Sequence, residues 1–502
     1  MGKGTKDLDT KKVKTALDDL PWGEEKEVDN KHIMGKQPLP EGVTKKMVYN
    51  DIIKIAGPSF VELMLTQLTS MVDLMMVGKL GAWAVAAVGL TTQPKFLIAT
   101  VFMSLNIGTM AMIARYRGAD NRDKARLILR QAMLINFIVG VIGSILGFIF
   151  AEDMIRFMGA ADDQTLAGGT AYLQIQMLGI LTVSLTSVVT SALRATGDSK
   201  TAMIYNTTAN AVNVVFNYLL IFGHFGFPRM EVAGASLATV IGQIVACIMA
   251  MTTIMKKKQY ARLEFVKGGF KPDKEAIAGI FDIGMPAMGE RIAMRIGMII
   301  YTKTVASLGT VAMATHQICM NIQALTFMNG EAFSVSATSL VGQSLGKRRD
   351  DMAVHYSKST QRLGMFISLC IGIGVFFFNQ QILALYSDDM QIIAMGGILL
   401  QMVALIQPLQ ASQFIFAGVL RGAGDTKYTA IVSFVTMLII RPVMAIIAIN
   451  QFGLGLKGAW YALVVDQLTR TLLIGRRYYQ GKWIHILKHH DASASNDSAA
   501  ME

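Results

Sequence analysis

Charge is scarce in this sequence. Asp, Glu, Lys and Arg make up 16% of its 502 residues, whereas about 25% is usual for a soluble domain. Hydrophobic residues make up 52%, and the mean hydropathy is +0.43. The basic residues behind the net charge of +12 stand in short segments between apolar runs, which is typical of loops in membrane proteins. Composition therefore predicts an integral membrane protein in contact with lipid, and it argues against a nucleic-acid partner.

Reactive motifs are also scarce. The three cysteines lie in apolar runs without metal-ligand spacing, so we interpret them as packing residues. The His-Glu-x-x-His pattern of metalloproteases does not occur. The acidic pairs Asp162-Asp163 and Asp388-Asp389 stand alone, without the aspartate clusters with which prenyl-transfer enzymes hold Mg²⁺. We therefore expect no enzyme activity, no cofactor and no certain metal site.

Apolar runs dominate the rest of the chain. A helix needs about 20 apolar residues to cross a hydrocarbon core of ~30 Å, and twelve runs are long enough. The fold class predicted is an all-α membrane protein with twelve transmembrane helices. The runs lie near 52–77, 83–114, 125–150, 168–192, 201–223, 232–255, 276–306, 311–342, 358–379, 391–418, 428–449 and 457–478.

The distribution of Lys and Arg predicts the orientation. Segments 115–126, 256–274 and 347–362 are rich in these residues, whereas the alternate loop 151–169 holds Arg156 against four acids. Loops rich in Lys and Arg stay on the cytoplasmic side. We therefore expect both termini in the cytoplasm and a multi-pass protein of the cytoplasmic (inner) membrane.

An internal repeat organises the chain. Segment 55–119 aligns with segment 283–347 without a gap, so that Pro58 meets Pro286 and Glu62 meets Glu290. Six helices separate equivalent positions, and because six is even, both halves have the same orientation. The repeat predicts two six-helix bundles related by a pseudo-two-fold axis along the membrane normal, with a site between them near the midplane.

The repeat also predicts the division of the chain. Residues 48–255 form the first bundle, hereafter the N-half, and residues 276–482 form the second, the C-half. A basic cytoplasmic linker, 256–275, joins them. The highly charged segment 1–47 is expected to be a disordered cytoplasmic tail, since it has few apolar residues to bury. Residues 483–502 form a second cytoplasmic tail.

Several motifs together resemble the bacterial type of the multidrug and toxic compound extrusion (MATE) family, over roughly residues 50–480. The resemblance implies a V-shaped pair of bundles that exports organic, cationic compounds in exchange for H⁺ or Na⁺ by alternating access, and that acts as a monomer. The motifs are Pro58-x-x-x-Glu62, Val72-Asp73-x-x-x-Val77-Gly78-x-Leu80-Gly81, Leu193-Arg194-x-x-Gly197-Asp198-Ser-Lys200, its counterpart at Leu420, Ala314-Thr-His316-Gln317, and Leu340-Val-Gly342-Gln343-Ser-Leu345-Gly346.

The first helix carries two acids and two threonines on one face. Glu62, Thr66, Thr69 and Asp73 are spaced by four, three and four residues, which places them in line on a helix. An acid inside a span costs at least ~2.5 kcal/mol on insertion scales, so it faces a cavity or a partner. We expect a cation or proton site here, with Asp73 as the coupling acid that the resemblance implies. The alternative is that Asp73 lies near the outer water and serves as a local cap.

The resemblance implies that the fifth helix completes this site. Asn213 and Asn217 are four residues apart, and some members of the family have an aspartate at the second of these positions. Asn217 removes that charge, which weakens the case for a Na⁺ cage. We therefore expect H⁺ as the coupling ion, with Na⁺ as the alternative. An ordinary amide hydrogen bond between helices is the other interpretation of the two asparagines.

The seventh and eighth helices carry further polar residues. Glu290, Arg291 and Arg295 lie within six residues of one span, and we predict that they form a buried network. Glu331 is unusual for the family, and either it pairs with one of these arginines or it lines the pathway. The eighth helix adds three candidates for coupling or substrate binding, each with a structural hydrogen bond as the alternative: His316, Gln317 and Asn321.

A second function stays open on the sequence alone. A flippase for lipid-linked precursors, from the same wider superfamily, would need a large and strongly basic central cavity to hold a pyrophosphate group. The charges expected inside the membrane are mixed here: Glu62, Asp73 and Glu290 stand against Arg291 and Arg295. The mixture favours the exporter.

Overall fold

Helices make up nearly all of the part of the protein that the structure describes. The computed structural model describes residues 15, 17, 20, 34, 38–160, 162–264 and 271–486. The described part contains no β-strand. Fifteen α-helices lie within the described residues, in chain order: α1 Lys45–Gly78, α2 Ala82–Gly118, α3 Arg122–Ile149, α4 Ala151–Phe157, α5 Asp163–Ala195, α6 Ser199–Phe222, α7 Glu231–Ile254, α8 Lys274–Ala306, α9 Thr310–Gly346, α10 Asp350–Phe377, α11 Asn379–Ala384, α12 Met390–Gly422, α13 Thr426–Phe434, α14 Arg441–Asn450 and α15 Gly455–Tyr479.

Twelve spans account for these helices, as predicted. The short α4 and α11 stand outside the spans, and the π-helical segment Val435–Ile440 joins α13 to α14 in a single span. By length and composition alone, eight of the described helices are apolar enough to cross a membrane. The four that are not, α6, α8, α9 and α15, carry many of the polar residues described below.

Hydrogen bonds to orphan backbone N–H groups fix where several spans begin. Asp162 accepts from the N–H of Thr165 at 2.7 Å, and Asp273 accepts from that of Ala276 at 2.8 Å. Such caps satisfy donors that have no partner inside the helix. The caps at Asp162 and Asp273 therefore set the starts of α5 and α8.

Reciprocal contacts demonstrate the pseudo-two-fold relation between the halves. A Cβ atom added to Gly118 would lie 1.9 Å from the carbonyl oxygen of Gln343, and one added to Gly346 would lie 1.9 Å from that of Arg115. In the repeat, position 346 is the counterpart of 118, and position 343 is the counterpart of 115. Each half thus offers the same glycine to the same backbone position of the other, as a two-fold axis requires.

A second reciprocal contact lies nearby. The carbonyl oxygen of Ile280 would be 2.4 Å from a Cβ at Gly108, and the hydroxyl of Ser336 donates to the carbonyl oxygen of Ile52 at 3.3 Å. The repeat pairs position 108 with 336 and position 52 with 280. The expected axis is therefore confirmed, and it passes near the ends of α2 and α9 where the basic segments begin.

Parts of the terminal segments pack on the C-half. Leu17 and Leu20 are buried in a cluster that also contains Trp483 and Ile484. Lys347 donates to the carbonyl oxygen of Leu17, and Lys358 donates to that of Met34 at 2.7 Å. The remainder of the segments predicted as tails, 1–47 and 483–502, lies mostly outside the described residues, as does 265–270 of the linker.

Candidate functional site

A ladder of polar side chains joins α1 to α6. The two helices run in parallel, and their partners keep a constant separation of 144 residues. The face of α1 predicted from sequence therefore meets a matching row of asparagines, spaced like the acids and threonines opposite. Asn206 donates to Glu62 at 2.8 Å, Asn210 donates to Thr66 at 3.1 Å, and Asn217 donates to Asp73 at 2.5 Å.

Asp73 is held by neutral amides. Besides Asn217, Asn213 fits this site in one orientation of its amide: its nitrogen donates to the two Asp73 oxygens at 2.9 and 3.2 Å. The Asn213 oxygen then accepts from the hydroxyl of Thr239 at 3.0 Å, so in this orientation both ends of the Asn213 amide face suitable partners. The structure thus brings Asp73, Asn213 and Asn217 together.

Two further residues complete the surroundings of this carboxylate. Lys95 of α2 is close enough for its charge to act on Asp73, although the two groups do not form an ion pair. Thr69 stands at the ladder position opposite Asn213 and is half-buried. Within the described chain, its hydroxyl has no hydrogen bond, so Thr69 is on the predicted face without a hydrogen bond to α6.

Each half contains the same three-residue charged unit. In the N-half, Glu62 accepts from Arg194 at 2.8 Å, in addition to Asn206. In the C-half, Glu290 accepts from Arg421 at 3.2 Å and from Ser433 at 3.0 Å. The two units occupy equivalent places in the repeat: Glu62, Arg194 and Asn206 correspond to Glu290, Arg421 and Ser433. The offset between the halves is 228 residues at the glutamates and 227 residues at their partners.

The predicted network on the seventh helix is therefore wrong in its partners. Glu290 pairs with Arg421 of α12 and not with Arg291 or Arg295. Arg295 instead places its guanidinium 3.5 Å from the ring centroid of Phe96, across the interface between the halves. Neighbouring positions on α8 face different directions, which is why three charges close in sequence do not meet in space.

A second buried ion cluster lies in the C-half. Asp466 is fully buried and accepts from Arg470 at 2.7 Å, and from the Nε of Arg441 at 2.9 Å. Arg441 directly follows the π-helical segment, whose wider turn re-aims the residues after it. Both arginines are 3% exposed. The cluster is closed to solvent, so it serves the packing of α14 against α15.

The eighth-helix candidates are separated. His316 is buried and packs edge-on against Tyr301 and Trp460, with ring centroids 5.5 and 5.7 Å away. Gln317 and Asn321 are exposed and have no side-chain hydrogen bond among the described residues. The structure thus places His316 in the C-half core, and it does not bring the three residues together.

A central cavity of about 510 Å³ opens between the halves. Three arginines and two glutamates line it, and two of the arginines already pair with glutamates. The mixed charge differs from the strongly basic cavity expected of a flippase for pyrophosphate-linked lipids. Its charged and apolar lining includes Glu62, Leu63, Met103, Arg194, Arg291, Glu331 and Arg421.

Several residues of these sites were not predicted. Asn206 and Asn210 extend the asparagine row with the same four-three-four spacing as α1, so comparing the two patterns would have revealed them. Lys95 is a single lysine inside an apolar run, which is itself a signal. Arg441 stands in the eleventh apolar run, but nothing in the sequence identifies Asp466 as its partner.

Comparisons with known proteins agree with this architecture. The family model MatE matches residues 58–219 and 286–447, two stretches whose first residues, Pro58 and Pro286, are counterparts in the repeat. A protein of Thermotoga maritima named "Probable multidrug resistance protein NorM" is 27% identical over 90% of this chain and 96% of its own length. The "Uncharacterized transporter YisQ" of Bacillus subtilis is 26% identical over 86% of this chain and 94% of its own.

Solved structures show the same fold. The outward-facing conformation of a multidrug resistance MATE family transporter superposes with a TM-score of 0.80 at 20% identity, covering 91% of this chain and all of that one. A transporter of the MOP superfamily from Pyrococcus furiosus gives 0.80 at 21% identity over 92% of this chain and all of its own. Because the family model matches well over half of the residues, the chain belongs to the MatE family of multidrug efflux transporters, and it is a membrane transporter and not an enzyme.

Proposed function

We propose that this chain is a proton-coupled antiporter that exports organic small molecules, with Asp73 as the group that binds and releases the proton. The observation that carries the proposal is the environment of Asp73. Its carboxylate lies inside a spanning bundle without an arginine or lysine ion pair in the described structure, held by the amides of Asn217 and Asn213. A carboxylate so placed gains by binding a cation or a proton.

The direction of the amides favours H⁺ over Na⁺. Na⁺ needs several oxygen ligands, but Asn217 turns its amide nitrogen towards Asp73, and Asn213 does the same in the orientation that suits its own neighbours. The positive charge of Lys95 within electrostatic reach also opposes a second cation at this carboxylate. A proton needs one oxygen lone pair and no cage, so it suits this site.

The asymmetry between the halves supports the same assignment. The repeat places Tyr301 where the N-half has Asp73. Tyr301 is fully buried, and its hydroxyl donates to the carbonyl oxygen of Ala459 at 2.9 Å. The C-half therefore fills the equivalent position with a satisfied structural side chain, and ion coupling resides in the N-half.

The conformation corresponds to an outward-facing state in this proposal. The hydrogen bonds described between the halves all lie at the basic ends of the spans; for example, Gln343 donates to the carbonyl oxygen of Ala195 at 2.8 Å. Those ends, and both termini, face the cytoplasm if basic loops stay inside. The transporter works as a monomer in the inner membrane, and the cavity loads cationic or other charged organic compounds from the cytoplasm in the opposite state.

The driving force is sufficient for export. A proton entering down a potential of ~100 mV supplies about 2.3 kcal/mol. One-for-one exchange would therefore drive a compound uphill roughly fortyfold. No further energy source is needed.

The test is transport by the purified chain in liposomes, with H⁺ and Na⁺ gradients imposed separately. Uptake of a fluorescent organic cation should follow the pH gradient at constant Na⁺ and stop when an uncoupler is added. Asp73→Asn should still bind the dye, but it should not release it when the pH gradient is applied. Transport that follows Na⁺ and ignores pH would refute the assignment.

A matched control comes from the other half. Tyr301→Phe alters the position equivalent to Asp73 and removes one hydrogen bond, so it should lower stability slightly and leave the dependence on pH intact. If Asp73→Asn transports as well as Tyr301→Phe does, Asp73 is not the coupling acid.

A further inference from the structure

The two walls of the central cavity differ at equivalent positions. Leu63 and Met103 line it from the N-half. The internal repeat places Arg291 and Glu331 at the same two positions of the C-half, and both line the cavity as well. One wall is therefore apolar where the other carries two opposite charges.

These two charges are free to bind a ligand. The other charged groups of the cavity are already paired, Arg194 with Glu62 and Arg421 with Glu290. Arg291 and Glu331 are close enough to influence each other electrostatically, but their charged atoms are not within ion-pair distance. Neither side chain has a hydrogen bond or an ion pair to any described residue, and Glu331 is exposed to the cavity.

The pattern specifies a ligand by its charges. A simple cation would satisfy Glu331 and leave Arg291 unpaired, and a simple anion would do the reverse. A ligand that offers both signs finds a complementary charge at each of the two residues, so it gains most. A volume of about 510 Å³ suits a drug-sized molecule, whose remaining surface would meet Leu63 and Met103.

We propose that the central cavity selects amphiphilic organic zwitterions: an acidic group pairs with Arg291, a basic group pairs with Glu331, and the apolar end packs against the N-half wall. The inference rests on the proposed export function and specifies its substrate class. Arg291 and Glu331 are then the residues that determine specificity, whereas the duplicated ion pairs maintain the walls.

Three xanthene dyes of nearly equal shape test this proposal. Rhodamine with a free carboxyl group is a zwitterion, its methyl ester is a cation, and fluorescein is an anion. Binding to the purified chain in detergent, followed by fluorescence anisotropy at neutral pH, should be about tenfold tighter for the zwitterion than for the ester. Fluorescein should bind most weakly. Equal affinity for the free acid and its ester would overturn the proposal, and this comparison needs no variant.

Variants assign the charges. Arg291→Gln should lower the affinity for the zwitterion about tenfold and leave the affinity for the ester unchanged. Arg291→Lys should keep most of the preference for the zwitterion over the ester. Glu331→Gln should weaken the binding of the zwitterion and of the ester, and it should strengthen the binding of fluorescein. Lys303→Gln removes a positive charge from the exposed end of α8, outside the cavity, and should change none of the three affinities. If Arg291→Gln keeps the wild-type preference at an unchanged melting temperature, Arg291 does not bind the acidic group.

The outcome is separable from that of the proposed function. Dye binding in detergent requires no ion gradient, so selective binding would persist even if liposome transport proved independent of protons. Conversely, proton-driven transport of all three dyes at equal apparent affinity would support the antiporter and exclude the zwitterion-selective cavity.

Discussion

Asn217 donates to Asp73 at the same sequence separation, 144 residues, that joins Asn206 to Glu62 eleven residues earlier on each helix. The two acids of α1 are therefore points on one rigid ladder. Asn210 and Thr66 form the contact between them, at 3.1 Å. A change in the position of α6 relative to α1 would alter the hydrogen bonds of both acids together, which links the proposed proton site to the wall of the central cavity.

The first prediction concerns the ion. Asn217→Asp places a second carboxylate against Asp73, where 2.5 Å now separates the amide nitrogen from the carboxylate oxygen. Two adjacent carboxylates attract a cation far more strongly than one does. Transport by this variant in liposomes should become dependent on Na⁺, at a pH gradient that alone drives the unaltered protein.

Another position in the asparagine row provides the control. Asn210→Asp adds the same charge opposite Thr66, seven residues from position 217, without creating a pair of adjacent acids with Asp73. It should not introduce Na⁺ dependence. Identical Na⁺ responses in the two variants would show that added negative charge, and not the geometry of the Asp73 site, produces the effect.

The second prediction concerns the duplicated unit. Glu62→Gln and Glu290→Gln each leave an arginine without its carboxylate. Removing one partner of a fully buried pair costs ~3–5 kcal/mol, and since Arg194 and Arg421 keep some exposure, about 2 kcal/mol is expected for each. Both variants should lower the melting temperature by similar amounts.

A double-mutant cycle isolates the pair. Glu290→Gln combined with Arg421→Gln should be less damaging than the sum of the single changes, because no unpaired charge remains. Strict additivity of the two single effects would contradict the ion pair that the structure shows.

The third prediction contrasts a buried and an exposed ion pair of the C-half. Asp466→Asn leaves Arg441 and Arg470 buried with their charges uncompensated, so it should cost ~3–5 kcal/mol or prevent folding. Asp282→Asn breaks a contact of 2.8 Å to Lys427, whose side chain is 68% exposed while that of Asp282 is 42% exposed, and it should cost at most ~1 kcal/mol. Thermal unfolding in detergent compares them; equal losses would refute the structural role of the buried cluster.

The fourth prediction concerns the contacts that join the two halves at the basic ends of the spans. Gly346→Ala places a methyl group 1.9 Å from the carbonyl oxygen of Arg115, so α2 and α9 must separate. A cysteine introduced at the buried Ser339, in a chain whose native cysteines are replaced, should then react faster with a thiol reagent. Gly289→Ala has open space around the new methyl and should leave the rate unchanged. A slower or equal reaction in Gly346→Ala would show that this contact does not hold the side closed.

Sequence information determines the architecture here because lipid imposes length and composition on every span. The twelve predicted runs match the observed spans to within a few residues at most ends, and the repeat found from Pro58 and Pro286 reappears as reciprocal contacts at Gly118 and Gly346. The short helices α4 and α11 were missed, since six or seven residues carry no periodic signal of their own.

Partners within the site are harder to predict, because they depend on helix rotation. The α1 face follows from helical spacing, the resemblance implies the two asparagines of α6, and the structure places Asp73 of that face beside them. Glu290 and Arg291 are adjacent in sequence, yet one pairs with Arg421 and the other faces the cavity. Applying the repeat to the charges would have identified the partner, because Arg421 is to Glu290 what Arg194 is to Glu62.

Every ion pair described inside the spans joins two residues of the same half: Glu62 with Arg194, Glu290 with Arg421, and Asp466 with Arg441 and Arg470. The nascent chain therefore carries the countercharge for Glu62 before the ribosome has begun the second bundle. In each of these pairs, the partner of the carboxylate belongs to the same six-helix bundle. The charged pairs of each half are thus complete within that half, and neither bundle depends on the other for a countercharge.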